Sequence, residues 1–373
     1  MMATKPIGLY VHIPFCKRKC RYCDFCSESA SYDKMKLYTD AIIEEIKSYK
    51  RDEKIKIDTI FFGGGTPSIL AEELIERIYF EIQETFDILR DCEISIEINP
   101  GTVTFEKLEL YKNLGINRIS IGLQSIHENE MKILGRIHTY QEFLSAYRMV
   151  RDCGFDNVNV DLMYSIPEQT KESFEKTLDT ITQLNPEHLS VYGLIIEEGT
   201  PFFELRNSLN LPSEDEEYDM YETAHNKLSS LGYHHYEISN YSREGKYSRH
   251  NLKYWQDEEY IGVGLSAHSY FEDKRFSNTS DFSEYFSSER EKYRQIQRIG
   301  KKDSFEYAML ALRLSRGLSL SEYKELFKKE FTDGKENLLE LYMNNGYMEI
   351  SDGFLRFTYK GFYVSNTILA ELL

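Results

Sequence analysis

Four of the six cysteines lie in one short segment, at Cys16, Cys20, Cys23 and Cys26. Cysteines gathered in this way are unlike the spread framework of a secreted disulfide scaffold, and they indicate metal or redox chemistry. Cys16, Cys20 and Cys23 form CxxxCxxC, which supplies three thiolates. A [4Fe-4S] cluster has four irons, so this motif would leave one iron open to a ligand, whereas most electron-transfer clusters fill all four positions with cysteine.

The alternative interpretation of this segment is a structural zinc ion with Cys26 as the fourth thiolate, because zinc sites made of four cysteines are common. Such sites usually take their ligands from two separated loops. Here all four cysteines lie in one stretch. We therefore interpret Cys26 as a non-ligand.

Glycines and polar side chains follow the ends of several apolar runs. GGGTP (63–67) ends the run IDTIFF, and glycines at such a position let the backbone approach a ligand where a Cβ would collide. The motif lacks the GKS or GKT of a phosphate-binding loop, so binding of a nucleoside triphosphate is not indicated. Glu97, Gln124 and Asp161 stand at the ends of later runs. Each of these alone is more often a solvated or capping residue than a ligand contact.

These residues lie on a chain that alternates strand-like and helix-like segments. The strand-like runs are IGLYVHI, IDTIFF, EISIEI, RISIGL, NVNVDLMY and HLSVYGLI, and apolar residues recur at helical spacing between them. This alternation predicts right-handed βαβ units around a parallel sheet. About six units fit between Ile7 and Ile196, which predicts an α/β fold with a partial (β/α)6 barrel. Ligands of such sheets gather at the carboxyl ends of the strands, where the cysteines, the glycine motif and the polar residues fall.

The pattern changes beyond about residue 290. Helix-like stretches precede YMEISDGFLRFT, which predicts a hairpin that turns at Asp352-Gly353. A small winged-helix-like α+β domain is expected there. We divide the chain into a barrel core at 1–212, a connecting segment at 213–290 and a C-terminal domain at 291–373.

Composition limits the partners of the chain. Its 45 basic and 62 acidic side chains give a net charge of −17, which opposes a nucleic-acid phosphate backbone and makes a packing or lid role more probable than DNA binding for the last domain. The chain has no run of about 18 apolar residues and no apolar leader segment near its start. We expect a cytoplasmic protein that is not an integral membrane protein and does not bind nucleic acid.

With Tyr22 before the third cysteine, the motif resembles the CxxxCxΦC signature of the radical S-adenosylmethionine (SAM) superfamily, in which Φ is aromatic. The resemblance implies a [4Fe-4S] cluster on Cys16, Cys20 and Cys23. It also implies that SAM binds the open iron and is cleaved by one electron to a 5′-deoxyadenosyl radical. In that family the motif corresponding to GGGTP contacts the methionyl amino group.

YVHIPFC, GGGTP, SIEINP, GLQS, Gly135-Arg136 and VDLMYSIP occur in the order seen in one branch of the superfamily. That branch contains the oxygen-independent coproporphyrinogen III oxidases and the HemW-type haem chaperones, and 291–373 is then a HemN-C-like domain. The resemblance implies that the cluster-bound SAM contacts Tyr10, Gly64 and Glu97. Positions matching a second SAM site of the oxidases are Tyr22, Gly65, Thr66, Gln124, Arg136 and Asp161, with Ile195 a weaker match.

Two features of the sequence favour the chaperones over the oxidases. The oxidases have a fourth cysteine two residues after the third, where this chain has Phe25. They also carry an N-terminal extension, whereas this sequence starts a few residues before its first strand. In addition, residues 250–255 reproduce the HNxxYW motif of HemW-like proteins. A neutral His250 imidazole could ligate haem iron and the flanking aromatic rings could cover a porphyrin face, although such a histidine is also a common packed residue.

The leading hypothesis is therefore a haem chaperone that binds a cluster, SAM and haem. The resemblance implies haem-accepting apoproteins and a reductant such as flavodoxin or ferredoxin as partners. The rival is an enzyme, oxygen-independent coproporphyrinogen III oxidase, which decarboxylates two propionates by hydrogen abstraction. Radical chemistry on another tetrapyrrole is a third possibility.

Overall fold

The computed structural model describes residues 5–300 and 302–373. Its strands are β1 Ile7–Ile13, β2 Lys56–Gly64, β3 Asp87–Ile98, β4 Arg118–Gln124, β5 Val158–Tyr164, β6 His188–Gly193, β7 His234–Glu237, β8 Asn240–Ser242, β9 Tyr260–Val263, β10 His268–Phe271, β11 Lys274–Ser277, β12 Gln295–Ile299, β13 Leu318–Ser319, β14 Met348–Ser351 and β15 Phe354–Phe357. Its helices are α1 Tyr32–Lys47, α2 Glu72–Thr85, α3 Phe105–Asn113, α4 Glu128–Leu134, α5 Tyr140–Asp152, α6 Lys171–Thr182, α7 Pro201–Leu205, α8 Glu214–Ser230, α9 Arg249–Trp255, α10 Phe282–Phe286, α11 Ser304–Ala311, α12 Leu320–Phe327, α13 Glu336–Asn344, α14 Tyr359–Tyr363 and α15 Ser365–Leu372.

One large sheet organises the described chain, with strands in the order β12-β11-β10-β9-β1-β2-β3-β4-β5-β6-β8-β7. Strands β1 to β6 are parallel neighbours in chain order, and a helix follows each of them. Every residue of β4 is buried, because helices cover the outer face of the sheet while its inner face lines the barrel. The predicted α/β fold with a six-unit partial barrel is confirmed.

The helices between these strands begin where the sequence offers a capping side chain. Ser31 accepts a hydrogen bond from the backbone of α1, and Thr139 and Thr170 form capping boxes at the start of α5 and α6. The inner stripe of α1 buries Ile42 and Ile46 against the sheet. No helix in the two described ranges is both long and apolar enough to cross a membrane.

The segment at 213–290 contributes strands to the same sheet. Strands β7 and β8 pair antiparallel beside β6, and β9 pairs parallel with β1 on the opposite side of the barrel. Strands β10 and β11 extend that side, and β12 continues it to Ile299. The sheet therefore runs through the segment that the sequence suggested was a connection. These strands have only three to five residues each, too few to give a clear periodicity.

The C-terminal part forms a separate small sheet in the order β13-β15-β14, packed with α11 to α15. Its hairpin turns at Asp352 and Gly353, which both have positive φ, 53° and 81°, as a two-residue type I′ turn requires. The Tyr221 hydroxyl on α8 donates to the Tyr359 carbonyl at 2.8 Å, which docks this part on the barrel. The predicted small α+β domain is confirmed.

Candidate functional site

A cavity of about 360 Å³ opens at the carboxyl ends of the parallel strands. The loop after β1 forms one wall, and the ends of β2 to β6 form the rest. The cavity is lined by most of the residues that the sequence singled out, namely Cys16, Cys20, Tyr22, Cys23, Gly64, Gly65, Thr66, Glu97, Gln124, Arg136, Asp161 and Ile195. Residues from seven segments of the chain therefore face one space.

The cysteine loop presents three of its thiols to this cavity. The loop is held by backbone hydrogen bonds from Cys16 to Glu28 and from Glu28 to Pro14. Cys26 does not line the cavity: it packs against the apolar core, and its carbonyl accepts a hydrogen bond from His12 Nε2 at 3.0 Å. The donor set on the cavity wall therefore fits a cluster held by three thiolates, with space beside them for a ligand.

Burial raises the pKa of the Cys23 thiol to about 11, opposed by the Phe25 backbone N–H and by the charge of Lys19. Cluster ligation requires the thiolate. Iron must therefore displace the proton when the cluster assembles.

The glycine motif is required by the packing of the cysteine loop. Gly64 has φ of +111°, and a Cβ there would lie 2.5 Å from the His12 ring. A Cβ on Gly65 would lie 2.7 Å from the Phe15 carbonyl oxygen, in the backbone that leads into Cys16. The Gly64 N–H donates to Glu97 Oε2 at 3.1 Å. These glycines thus hold the loop against the sheet as well as leaving room for a ligand.

Two carboxylates, Glu97 and Asp161, face the cavity. Burial, with the charge of Asp161, raises the pKa of Glu97 to about 8. Burial also raises the pKa of Asp161, opposed by hydrogen bonds from neighbours that include Asn159, whose Nδ2 donates to Oδ1 at 2.7 Å. The positive charge of Arg118, which is buried in the barrel, lowers both pKa values. This pair can accept hydrogen bonds from the ammonium or ribose groups of a ligand.

The raised pKa of Glu97 predicts a pH-dependent stability for the protein without its cofactors. The folded state keeps a proton that the unfolded state loses, so the free energy of unfolding should fall as pH rises from about 4.5 to about 8. Glu97→Gln removes this dependence and should stabilise the protein by about 4 kcal/mol at pH 8, but by only about 1 kcal/mol at pH 5. Urea unfolding at both pH values measures the effect, with the exposed Glu109→Gln on α3 as control. An equal change in Glu97→Gln at pH 5 and pH 8 would contradict it.

The cavity also carries polar groups with unused hydrogen-bonding capacity. Gln124 has a strained φ of 73°, and its Nε2 donates to the Tyr192 hydroxyl at 3.4 Å. Within residues 5–300 and 302–373, the buried Gln124 Oε1 and the buried Arg136 Nε have no hydrogen-bond partner. An unpaired buried donor and acceptor fit a polar ligand, such as one with a carboxylate and an amino group.

Tyr10 and His250 do not line this cavity. The Tyr10 hydroxyl bonds His12 Nδ1 at 2.9 Å, and its ring stacks on Phe61. His250 on α9 is fully buried deeper in the barrel, where Nδ1 bonds the Thr59 hydroxyl at 2.9 Å and Nε2 bonds the Tyr254 hydroxyl at 2.8 Å. Neither ring nitrogen of His250 is therefore free for iron in this conformation.

Several residues of the site were not found by sequence reasoning, among them Asn99, Tyr192 and Arg118. Asn99 and Tyr192 line the cavity, and Arg118 sits below it at 2% exposed. Asn99 belongs to the quoted SIEINP run, so its position at a strand end was a usable signal. Arg118 begins a strand, where an arginine usually remains in solvent, and only the sheet register places it inside the barrel.

Two apolar side chains stand exposed at the mouth of the cavity. Phe25 is 61% exposed and Ile195 is 66% exposed, and both border the opening. Arg18 and Lys19 lie on the same rim. The mouth thus combines apolar surface with positive charge, although Asp24 and Glu197 add acidic groups.

A partial barrel with a three-cysteine loop and a glycine motif at the carboxyl ends of its strands defines a radical SAM protein, a class that implies a [4Fe-4S] cluster and SAM. The radical SAM superfamily model matches residues 10–181, and the HemN C-terminal domain model matches residues 301–364. Heme chaperone HemW of Bacillus subtilis is 32% identical, with 98% of each chain covered. That of Lactococcus lactis is 34% identical, covering 100% of this chain and 98% of the relative. The chain belongs to the HemW family.

A further relative agrees with this assignment, and a solved structure agrees with the fold. Heme chaperone HemW of Escherichia coli is 38% identical over 72% of this chain and 71% of its own length. The solved structure of coproporphyrinogen III oxidase (HemN) from Escherichia coli, a radical SAM enzyme, aligns with a TM-score of 0.84 at 24% identity. It covers 98% of this chain and 90% of that chain, and supports the fold alone.

Proposed function

We propose that this protein is a haem chaperone that holds a [4Fe-4S] cluster on Cys16, Cys20 and Cys23, binds SAM beside it, and delivers haem to apoproteins. When bound, the cluster supplies one electron to SAM. The residues of the chain orient the two cofactors and keep water from them. The observation that carries the proposal is the cysteine loop itself, which offers three thiols to the cavity and carries Phe25 where the oxidases have a fourth cysteine.

The residues available for SAM fall into two groups. Glu97, with the backbone of Gly64, suits the amino and ribose groups of a SAM molecule bound at the cluster. The unpaired Arg136 Nε and the Gln124 amide suit a carboxylate. Tyr22, Gly65, Thr66, Asp161 and Ile195 complete the wall on the side where a second SAM is expected from the resemblance. Tyr10 supports the site from behind, through its bond to His12.

Haem binding by the chain is supported by the relatives named heme chaperone and by the HNxxYW motif. The apolar Phe25 and Ile195 at the mouth suit a planar porphyrin, and Arg18 and Lys19 suit its propionates. A contact between His250 and haem iron would require α9 to move, since both ring nitrogens are hydrogen-bonded. Haem-accepting apoproteins, a flavodoxin or ferredoxin reductant and a cytoplasmic location belong to the same proposal.

Haem titration of the cluster-loaded protein tests the proposal. We expect stoichiometric haem uptake, monitored by the Soret absorption band. We also expect the bound haem to transfer to an apoprotein such as apomyoglobin. Apomyoglobin alone with free haem, and bovine serum albumin in place of this protein, are the controls. A loaded cluster without haem uptake would overturn the chaperone assignment.

The alternative function is the oxidase, and one observation favours it. The positions that match a second SAM site, among them Tyr22, Gln124, Arg136 and Asp161, all line the same cavity. Incubation of the loaded, reduced protein with SAM and coproporphyrinogen III under strict anaerobiosis decides between the two. Conversion to protoporphyrinogen IX supports the oxidase, and haem uptake without conversion supports the chaperone.

A further inference from the structure

Two of the three cavity thiols already receive a hydrogen bond from a side chain. Thr66 Oγ1 lies 3.6 Å from Cys16 Sγ, and Arg136 Nη1 donates to Cys20 Sγ at 3.7 Å. Cys23 receives its hydrogen bond from the backbone of Phe25. In the part of the chain that the structure describes, side-chain donors thus reach Cys16 and Cys20 but not Cys23.

The direction of the Thr66 hydrogen bond is fixed by Asn99. An arginine can only donate, so the Asn99 atom 2.7 Å from Arg136 Nη2 is the carbonyl oxygen Oδ1. The Asn99 amide nitrogen Nδ2 then faces Thr66 Oγ1 at 2.8 Å and donates to it. Because the Thr66 oxygen accepts from Asn99 and a cluster-bound Cys16 thiolate has no hydrogen to donate, the Thr66 hydroxyl would be the donor to Cys16 Sγ in the cluster-bound protein.

Asn99 also directs the Arg136 side chain at Cys20. Arg136 Nη2 donates to Asn99 Oδ1 and, at 2.6 Å, to the carbonyl of Gly122. A Cβ on Gly122 would lie 3.1 Å from both Arg136 Nη2 and Asn99 Oδ1, so the glycine leaves room for this contact. With Nη2 held by two acceptors, Nη1 is directed at Cys20 Sγ. Asn99 therefore connects the donors of both thiols.

We propose that Asn99 is a positioning residue that directs Thr66 and Arg136 at the thiolates of Cys16 and Cys20 and thereby raises the reduction potential of the cluster. The inference rests on the proposed function, which assigns a [4Fe-4S] cluster to these cysteines. Hydrogen bonds to the sulfurs are one of the determinants of cluster potential. They stabilise the additional electron of the reduced cluster, so loss of a donor lowers the potential.

Potentiometric titration of the reconstituted full-length protein, followed by electron paramagnetic resonance of the reduced cluster, tests the inference. Thr66→Val should lower the potential, while Thr66→Ser, which keeps the hydroxyl, should leave it near that of the wild type. Asn99→Leu should lower it further, because it releases both donors. Thr39→Val removes a buried hydroxyl on α1 that bonds only within its helix, and should cause no shift.

A double-mutant cycle separates positioning from an independent effect of Asn99. In the Thr66→Val background, Asn99→Leu should cause a smaller shift than in the wild type, since the Thr66 donor is already lost. If Asn99→Leu does not assemble a cluster, Asn99→Asp takes its place in the cycle. The added negative charge shifts the potential by the same amount in the wild-type and Thr66→Val backgrounds, so it cancels in the comparison. An unchanged potential in Thr66→Val and in the Asn99 variants, or additive shifts in the cycle, would overturn the inference. A wild-type protein that assembles no cluster would instead overturn the proposed function.

Discussion

Replacing Cys16, Cys20 or Cys23 singly by serine is expected to abolish the [4Fe-4S] cluster, with near-complete loss of its visible absorption and of bound iron and sulfide. The physical reason is that a cluster with one open iron has no spare protein ligand, so loss of one thiolate leaves two irons without a cysteine. Iron and sulfide analysis after anaerobic reconstitution, together with the absorption spectrum, measures the effect. This is the largest change expected from any single substitution in the chain.

Cys26→Ser is the matched control for these variants, because it changes the same atom in the same loop. The Cys26 thiol packs against the core outside the cavity, so this variant should keep the full iron and sulfide content. Loss of the cluster in Cys26→Ser would mean that Cys26 is a ligand. Retention of the cluster in any of the other three variants would show that the assignment of ligands is wrong.

His250→Ala is expected to lower the free energy of unfolding by about 3 kcal/mol, combining the loss of two buried hydrogen bonds with a cavity in the barrel. The buried His250 imidazole forms hydrogen bonds with the Thr59 and Tyr254 hydroxyls, and the backbone N–H of His250 donates to Glu93 Oε1 at 3.1 Å. Guanidinium unfolding of the protein without haem measures the loss. The exposed His234→Ala on β7 is the control and should stay within about 0.5 kcal/mol of the wild type.

The same variant separates a structural role of His250 from iron ligation. If His250 ligates haem iron, His250→Ala should change the position of the Soret band at temperatures where the variant remains folded. If haem instead binds while His250 keeps its two hydrogen bonds, the Soret band of His250→Ala should be unchanged although the protein is less stable.

Burial also lowers the pKa of His250 to about 3. The free energy of unfolding should therefore fall as pH falls below about 6.5, and His250→Gln should reduce that loss.

The parallel core of the fold could be predicted because its strands are buried on both faces and its helices carry capping residues. RISIGL, for example, is a run in which every position of β4 is buried. The strands contributed by 213–290 could not be predicted in the same way. Strand β9 has four residues and pairs with β1, about 250 residues earlier in the chain, and sequence spacing holds no information on such a pairing.

The residues of the site fall into the same two groups, those that sequence position predicts and those that only the packing reveals. The cysteines, the glycine motif and Glu97 were found because they stand at strand ends, which meet at one edge of a parallel sheet. The burial of Arg118 and the hydrogen-bond partners of His250 depend on which side chains point into the barrel and which residues they contact there. The HNxxYW motif left open whether His250 ligates haem iron or packs in the core, and the structure places the imidazole in a hydrogen-bonded core. Those contacts require α9 to pack against β2 and β3, where Thr59 and Glu93 lie, and the sequence alone did not show this packing.

The electron paramagnetic resonance spectrum of the reduced, anaerobically reconstituted protein, recorded with and without SAM, tests the central claim most directly. A cluster held by three cysteines has one open iron, so we predict a [4Fe-4S]⁺ signal in the wild type that changes shape when SAM is added. The signal should be present and respond equally in Cys26→Ser. A cluster signal that SAM leaves unchanged, or no cluster in the wild type, would contradict the assignment of Cys16, Cys20 and Cys23 as a radical SAM site.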